Sequence, residues 1–253
     1  MKAYIKAIDY YLPQKTISNE DLTRAFPEGN TAKTAAKIGI AKRHIAAEDE
    51  TAADLAAAAA EKLFRQGVDR KSIDYILFCT QNPDYLLPAS ACILQDRLGI
   101  PPECGALDFN QGCSGFVYGL SLAKGLIAAG IAKNVLLLTA ETYSKKLHPQ
   151  DRGNRMIFGD GAAAALIADE GIAEIGEFVL GTDGAGAKNL ILKTGGARCP
   201  EKEKNVLFDE NKNPLSADHI YMNGSEVFNF TLKRVPVLVN TLLEYILGEW
   251  EGK

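Results

Sequence analysis

The 253 residues contain no apolar run long enough to span a bilayer. Residues 1–12 alternate apolar and polar positions and lack the apolar block of a signal peptide. The sequence therefore reads as cytoplasmic, without a membrane segment. Cysteine is sparse: Cys79, Cys92, Cys104, Cys113 and Cys199, an odd number with no C-x-x-C pair, which argues against a complete disulfide set. Cys79 lies in the strand-like run YILFC and Cys92 in an apolar helix-like stretch, so both read as core packing. The 3 histidines are widely separated and offer no ligand spacing, so no metal site is expected. Positive charge is not in excess. A net charge of −4 argues against a nucleic-acid binder.

What is present is an ordinary globular composition, 47% apolar and 24% charged, enough for a substantial core. Short apolar runs bounded by turn residues predict strands near 2–9, 74–81, 105–110, 134–140 and 162–168. Helical stretches fall between them at 51–66, 89–98 and 113–130. This alternation predicts an α/β fold with a mostly parallel sheet and crossover helices. The stretch at 113–130, CSGFVYGLSLAKGLIAAG, is apolar or small on almost every side, with Lys124 its only charge. It predicts a helix buried all round. Gly115, Gly119 and Gly125 weaken such a helix, so close packing should explain them.

A second unit is expected after residue 170. GIAEIGEFVLGTDG reads as a strand and turn, and 194–216 as a polar insertion. An amphipathic helix follows at 223–247, with Val227, Phe230, Leu232, Val235, Leu238, Val239, Leu242 and Ile246 on its apolar side. The expected organisation is 1–170 for the first unit and 171–253 for the second.

The chemistry centres on ALDFNQGCSGF at 106–116. A strand ends, Gly112 permits a tight turn, and Cys113 opens a helix. A helix N-terminus surrounds a thiol with unpaired N–H groups and favours its thiolate, and a thiolate suits acyl capture as a thioester. From spacing alone, a small buried residue starting a buried helix remains an equal reading. Gly159-Asp160-Gly161 and Gly181, Gly184 and Gly186 lack nucleotide-loop spacing and read as turns.

NQGCSGF, together with GDGAAAALI at 159–167, resembles the 3-oxoacyl-[acyl-carrier-protein] synthase III family of thiolase-like condensing enzymes. IGIAKRHIAAEDETAADLA at 38–56, LPASACILQDRLGI at 87–100, HPQDRGNRMIFGDGA at 148–162 and IYMNGSEVFNF at 220–230 extend the resemblance along nearly the whole chain. It implies a thiolase-like fold: layered sheets around a buried central helix, with the second half incomplete here. It implies that Cys113 takes an acyl group from acyl-coenzyme A and that condensation with malonyl-carrier protein follows. Lys37, Leu87, Arg152, Ile157, Phe158, Met222, Gly224 and Phe228 match substrate-binding positions. Leu87 matches a wall of the partner subunit's acyl pocket, so a homodimer is implied. Coenzyme A and carrier-protein phosphopantetheine enter as substrate carriers, with no separate cofactor. Lys33, Lys37, Lys42, Arg43, Lys145, Lys146, Arg152 and Arg155 match segments near the pocket mouth and suit phosphate groups and an acidic carrier protein.

Three departures bear on activity. Lys33 stands where family members often carry a tryptophan that stacks on adenine, and Ala41 stands where they carry an arginine. The family's HQAN-like and later GN motifs, which supply a histidine and an asparagine, do not occur in these residues. The expectation from the sequence is a truncated chain, inactive in condensation. Acyl transfer to a non-malonyl acceptor and a non-catalytic fragment are the alternatives.

Overall fold

A computed structural model describes residues 2–27, 31–203, 205–210 and 213–251. The chain divides into two compact units. One comprises 1–145 and 156–175, the other 146–155 and 176–253. The short segment 146–155 thus belongs with the second unit although it precedes the end of the first in sequence.

The first unit is built on a six-stranded sheet in the order β5-β4-β6-β7-β1-β8. Its strands are β1 (Tyr4–Tyr11), β4 (Tyr75–Cys79), β5 (Gly105–Phe109), β6 (Val135–Thr142), β7 (Asp160–Ala168) and the short β8 (Ala173–Glu174). A separate antiparallel pair joins β2 (Lys15–Ser18) to β3 (Lys42–Ile45). The helices are α1 (Asn19–Ala25), α2 (Thr31–Ile38), α3 (Ala52–Arg65), α4 (Ser90–Arg97) and α5 (Gly115–Ala128).

The α/β class holds, but the expectation of a mostly parallel sheet needs correction. β4 runs parallel to β5 and β6. β6–β7, β7–β1 and β1–β8 are antiparallel. Parallel neighbours need a crossover, which α4 and α5 provide. No α-helix separates β6 from β7, only short 3₁₀ turns at Tyr143–Lys146 and Asn154–Met156, so β7 returns antiparallel.

Residues of period two divide the central strands between two helical layers. Ile76, Phe78, Leu136, Leu138, Ala140, Ala164 and Leu166 pack with α3 and α4 in one buried cluster. The intervening Leu137 and Cys79 meet α5. α3 suits its place because alanine has the highest helix propensity and the smallest side chain that still excludes water. Ala52, Ala53, Ala56, Ala59 and Ala60 are fully buried among the sheet residues. Its first turn is closed by a capping box, in which Thr51 Oγ1 accepts the Asp54 N–H and Asp54 accepts the Thr51 N–H.

α5 departs from the expected burial on all sides. Gly115, Gly119, Ala123 and Ile127, four residues apart, form one buried face, while Val117 and Leu122 are exposed. On the buried face the glycines are explained. A Cβ on Gly115 would overlap Cys79 Sγ, and one on Gly119 would overlap Leu137 Cδ1. Gly125 has no such neighbour.

The second unit contains two small antiparallel pairs, β9 (Leu190–Ile191) with β12 (Tyr221–Met222) and β10 (Leu207–Phe208) with β11 (Pro214–Leu215). The strand expected after 170 is limited to Ala173–Glu174, and Gly184–Asn189 forms a 3₁₀ turn. α6 (Gly224–Glu251) is the long helix expected from 223–247. Its apolar residues, Phe230, Leu232, Val235, Leu238, Val239 and Ile246 among them, are exposed. Pro236 inside it removes the donor that Leu232 C=O would otherwise bond. No described helix is long and apolar enough to cross a membrane.

Candidate active site

β5 ends at Phe109, and the chain turns through Asn110, Gln111 and Gly112 to Cys113 before α5 starts at Gly115. Cys113 therefore precedes the helix and does not open it. The Gly115 N–H closes the turn on Gly112 C=O at 2.8 Å. Gly112 is not in the left-handed region. Its requirement is space, because a Cβ there would lie 3.1 Å from Gln81 Oε1. The Cys113 side chain is exposed.

Two side chains hold the turn from the end of β4. Cys79 Sγ donates to Gln111 C=O at 2.9 Å, and Gln81 Nε2 donates to Asn110 C=O at 3.2 Å. A trans peptide sets each N–H opposite the preceding C=O. With the carbonyls of Asn110 and Gln111 captured, the N–H groups of Gln111 and Gly112 each point away from the partner of the preceding carbonyl. Burial, then the nearby Glu141 charge, pushes the Cys79 thiol up to about 12, so it is a protonated donor at neutral pH.

Behind the turn, Glu141 near the end of β6 accepts the Gln81 N–H at 2.8 Å and Asn82 Nδ2 at 2.9 Å. The Tyr143 hydroxyl bonds Gln81 Oε1. Tyr143 also packs edge-on against Phe158, with ring centroids 5.1 Å apart. Burial, then the charges of Glu141, Cys113 and Cys79, raise the Tyr143 phenol, which keeps its proton. Sequence reasoning had singled out Phe158 but missed Gln81, Glu141 and Tyr143. The available signal was a carboxylate closing the apolar strand VLLLTAET.

Asp160, expected in a turn, opens β7 and is buried. Its carboxylate accepts the Ala46 N–H at 2.7 Å, the Ser144 N–H at 2.9 Å and the Ser144 hydroxyl at 2.5 Å. Gly159 and Gly161 flank it in close quarters, near His44 C=O and Leu12.

Other expected site residues are distributed as follows. Lys37, at the end of α2, is exposed, and Ile157 is half-buried in the first unit. Leu87 is 81% exposed, beside Leu86 at 91%. Arg152, Met222, Gly224 and Phe228 belong to the second unit. There Asn154, buried, binds Ile220 C=O at 3.2 Å and ties the Arg152 segment to the strand carrying Met222. Phe228 and Gly224 are exposed at the start of α6.

The expected basic cluster needs one correction. Arg43 is buried, and its guanidinium donates to Met156 C=O and Asn19 Oδ1, so it is a structural cation. Cys92 also departs from expectation. It is exposed, because Ser90, Ala91 and Leu94 form the buried face of α4. Among the described residues, no group of three His, Cys, Asp or Glu is placed to hold a metal ion.

A cysteine presented at a strand-to-helix turn, above a mixed sheet with helices on both faces, defines a thiolase-like condensing enzyme. Residues 107–184 match the family model for 3-oxoacyl-[acyl-carrier-protein (ACP)] synthase III. A β-ketoacyl-[acyl-carrier-protein] synthase III of Chlamydia caviae is 38% identical over 92% of this chain and 68% of its own. One from Fusobacterium nucleatum is 33% identical over 95% of this chain and 71% of its own. A crystal structure of a 3-oxoacyl-(acyl-carrier-protein) synthase III superposes with a TM-score of 0.93 at 50% identity, covering 97% of this chain and 74% of that one. The corresponding synthase of Burkholderia xenovorans LB400 gives 0.84 at 33% identity, covering 97% and 69%.

The chain belongs to the 3-oxoacyl-[acyl-carrier-protein] synthase III family. It is an acyl-transferring condensing enzyme with a thiolase-like fold. The matches do not show the chain to be inactive in condensation.

Proposed function

We propose that Cys113 is the acyl-accepting nucleophile, that acyl-coenzyme A is the donor, and that malonyl-carrier protein is the acceptor. The observation carrying this reading is an exposed thiol on a turn whose two preceding carbonyls are pinned by Cys79 and Gln81. The Cys113 sulfur adds to the thioester carbonyl, and coenzyme A leaves as the thiol, taking the proton. Malonyl-carrier protein then loses carbon dioxide. Its carbanion attacks the Cys113 thioester, and the cysteine sulfur departs. Coenzyme A and phosphopantetheine act as carriers that arrive and leave, with no resident cofactor.

Lys37 and Arg152 are read as contacts for the phosphates of the carriers. Ile157, Phe158, Met222, Gly224 and Phe228 are read as acyl and pantetheine contacts. Residues 1–170 are read as the nucleophile-bearing half of the thiolase-like fold, and 171–253 as belonging to the other. With these substrates the activity is read as cytoplasmic. A homodimer completes the site through Leu87. Its support is the exposed apolar tip at Tyr85, Leu86 and Leu87 and the exposed Leu107 on β5, an edge strand. Sedimentation of the wild-type chain and Leu86→Asp is expected to give dimer and monomer respectively. A wild-type monomer overturns the dimer.

The nucleophile is tested by incubation with acetyl-coenzyme A and peptide mass spectrometry. The acetyl thioester is expected at Cys113 and not at Cys92 or Cys199, which are also exposed. Equal labelling of the three sinks the assignment. Carbon dioxide released with the 3-oxoacyl product separates malonyl condensation from transfer to another acceptor, the reading that Lys33 and Ala41 favour.

A further inference from the structure

We propose that Glu141 is a positioning residue for Cys113, acting through Gln81. The inference rests on Cys113 as the nucleophile.

The geometry forms a relay. Glu141 holds the Gln81 backbone N–H and the Asn82 side-chain amide. With its main chain fixed, Gln81 reaches across to the nucleophile turn. Its amide orientation is determined by its neighbours. Asn110 C=O can only accept, so Nε2 faces it, and Oε1 is left to receive the protonated Tyr143 hydroxyl. Gln81 Oε1 also lies against Gly112, immediately before Cys113. One carboxylate therefore fixes the residue that fixes the turn.

The electrostatics couple the same groups. Glu141 is faced by Asp160 from β7, by Cys79 from β4 and by Tyr143 just beyond its own strand. All are anionic or neutral. Tyr143 in turn feels Cys113. Burial, the larger cause, and Asp160 push the Glu141 carboxyl up to about 7, against the lowering effect of its bonds to Gln81 and Asn82. The carboxyl exchanges its proton near neutrality. The ionised form, above about pH 7, accepts through both oxygens and holds the Gln81 N–H and the Asn82 amide most firmly.

The test follows the rate of acetyl transfer from acetyl-coenzyme A to Cys113 between about pH 6 and about pH 8. In Glu141→Gln, whose amide accepts only through its single oxygen, transfer at the upper pH is expected to slow severalfold, and the break in the wild-type profile near neutrality to disappear. A profile superimposable on the wild type overturns the proposal. Gln81→Ala keeps the backbone N–H that Glu141 holds but cuts the relay. It is expected to slow acetyl transfer from acetyl-coenzyme A to Cys113 severalfold and to lose the break. Undiminished transfer overturns the relay even where Glu141→Gln does not fold. If the wild-type Cys113 takes no acetyl group, it is the nucleophile assignment that fails.

Discussion

Gly119 of α5 lies so close to Leu137 of β6 that a methyl group on it would overlap Leu137 Cδ1. The contact sets the depth at which the helix following the nucleophile seats on the sheet. Gly119→Ala must push α5 outward or distort Leu137, and is expected to cost about 1–3 kcal/mol. Gly125, six residues further on, has open space around its Cα. Gly125→Ala is expected to stabilise by about 0.5–1 kcal/mol through helix propensity alone. Denaturant titration of both variants checks the pair. A stabilised Gly119→Ala contradicts the packing.

Asp160 supports a second prediction. Its buried carboxylate serves the Ala46 N–H, the Ser144 N–H and the Ser144 hydroxyl. These residues lie just after β3 and just after β6, so one side chain joins two connections to the start of β7. Asp160→Ala leaves buried donors without acceptors, at a cost on the order of 2–4 kcal/mol. The denaturation midpoint is expected to fall with an unchanged slope. A midpoint equal to the wild type counts against the bonds.

Much of this arrangement was legible in the sequence, and the rest was hidden for physical reasons. VLLLT and YILFC announce β6 and β4 because central strands are buried on both faces and read as continuous apolar runs. The strand-turn-helix around Cys113 and the long helix from 224 were also legible. The β2–β3 pair was not, since KTIS and KRHI are short and carry charges that blur any alternation. Strand direction was not legible either, because apolar runs carry no sign of parallel or antiparallel pairing. Cys92 misled because apolar neighbours surround it in sequence, while the helical period turns it to the outside. Glu141, Gln81 and Tyr143 escaped because each matters through a partner distant in the chain.

The capping box of α3 yields a prediction on pH. Burial opposes ionisation of Asp54, but its bonds from the Thr51 backbone, Arg97 and the Thr51 hydroxyl more than offset this, and its carboxyl lies below its ordinary value. A carboxyl lowered on folding stabilises the native state above its unfolded pKa, and the contribution is lost as pH falls through the folded one. Thr51→Ala removes the cap and is expected to cost about 1 kcal/mol at neutral pH. Because part of the lowering goes with it, the variant's stability should also fall less steeply on acidification than the wild type's. Thermal melts across the acid range measure both, and parallel acid limbs would show that the cap does not act on Asp54.

The cysteines provide a test of the nucleophile's surroundings. Burial first, then Glu141, pushes Cys79 up to about 12. Burial first, then Asp74, pushes Cys104 up to about 11, against the opposing bond from the Ile76 backbone. At about pH 8 their thiolate fractions are ~10⁻⁴ and ~10⁻³, against about a quarter for an ordinary thiol. Cys92, Cys113 and Cys199 are exposed. A short iodoacetamide pulse on the folded protein is expected to label these three and spare Cys79 and Cys104, whereas all five label in denaturant. Cys79 is the informative member, because its proton is the one donated to Gln111 C=O beneath the nucleophile turn. Rapid labelling of Cys79 in the folded chain would mean that this proton is not held and that the turn has lost one of its two anchors.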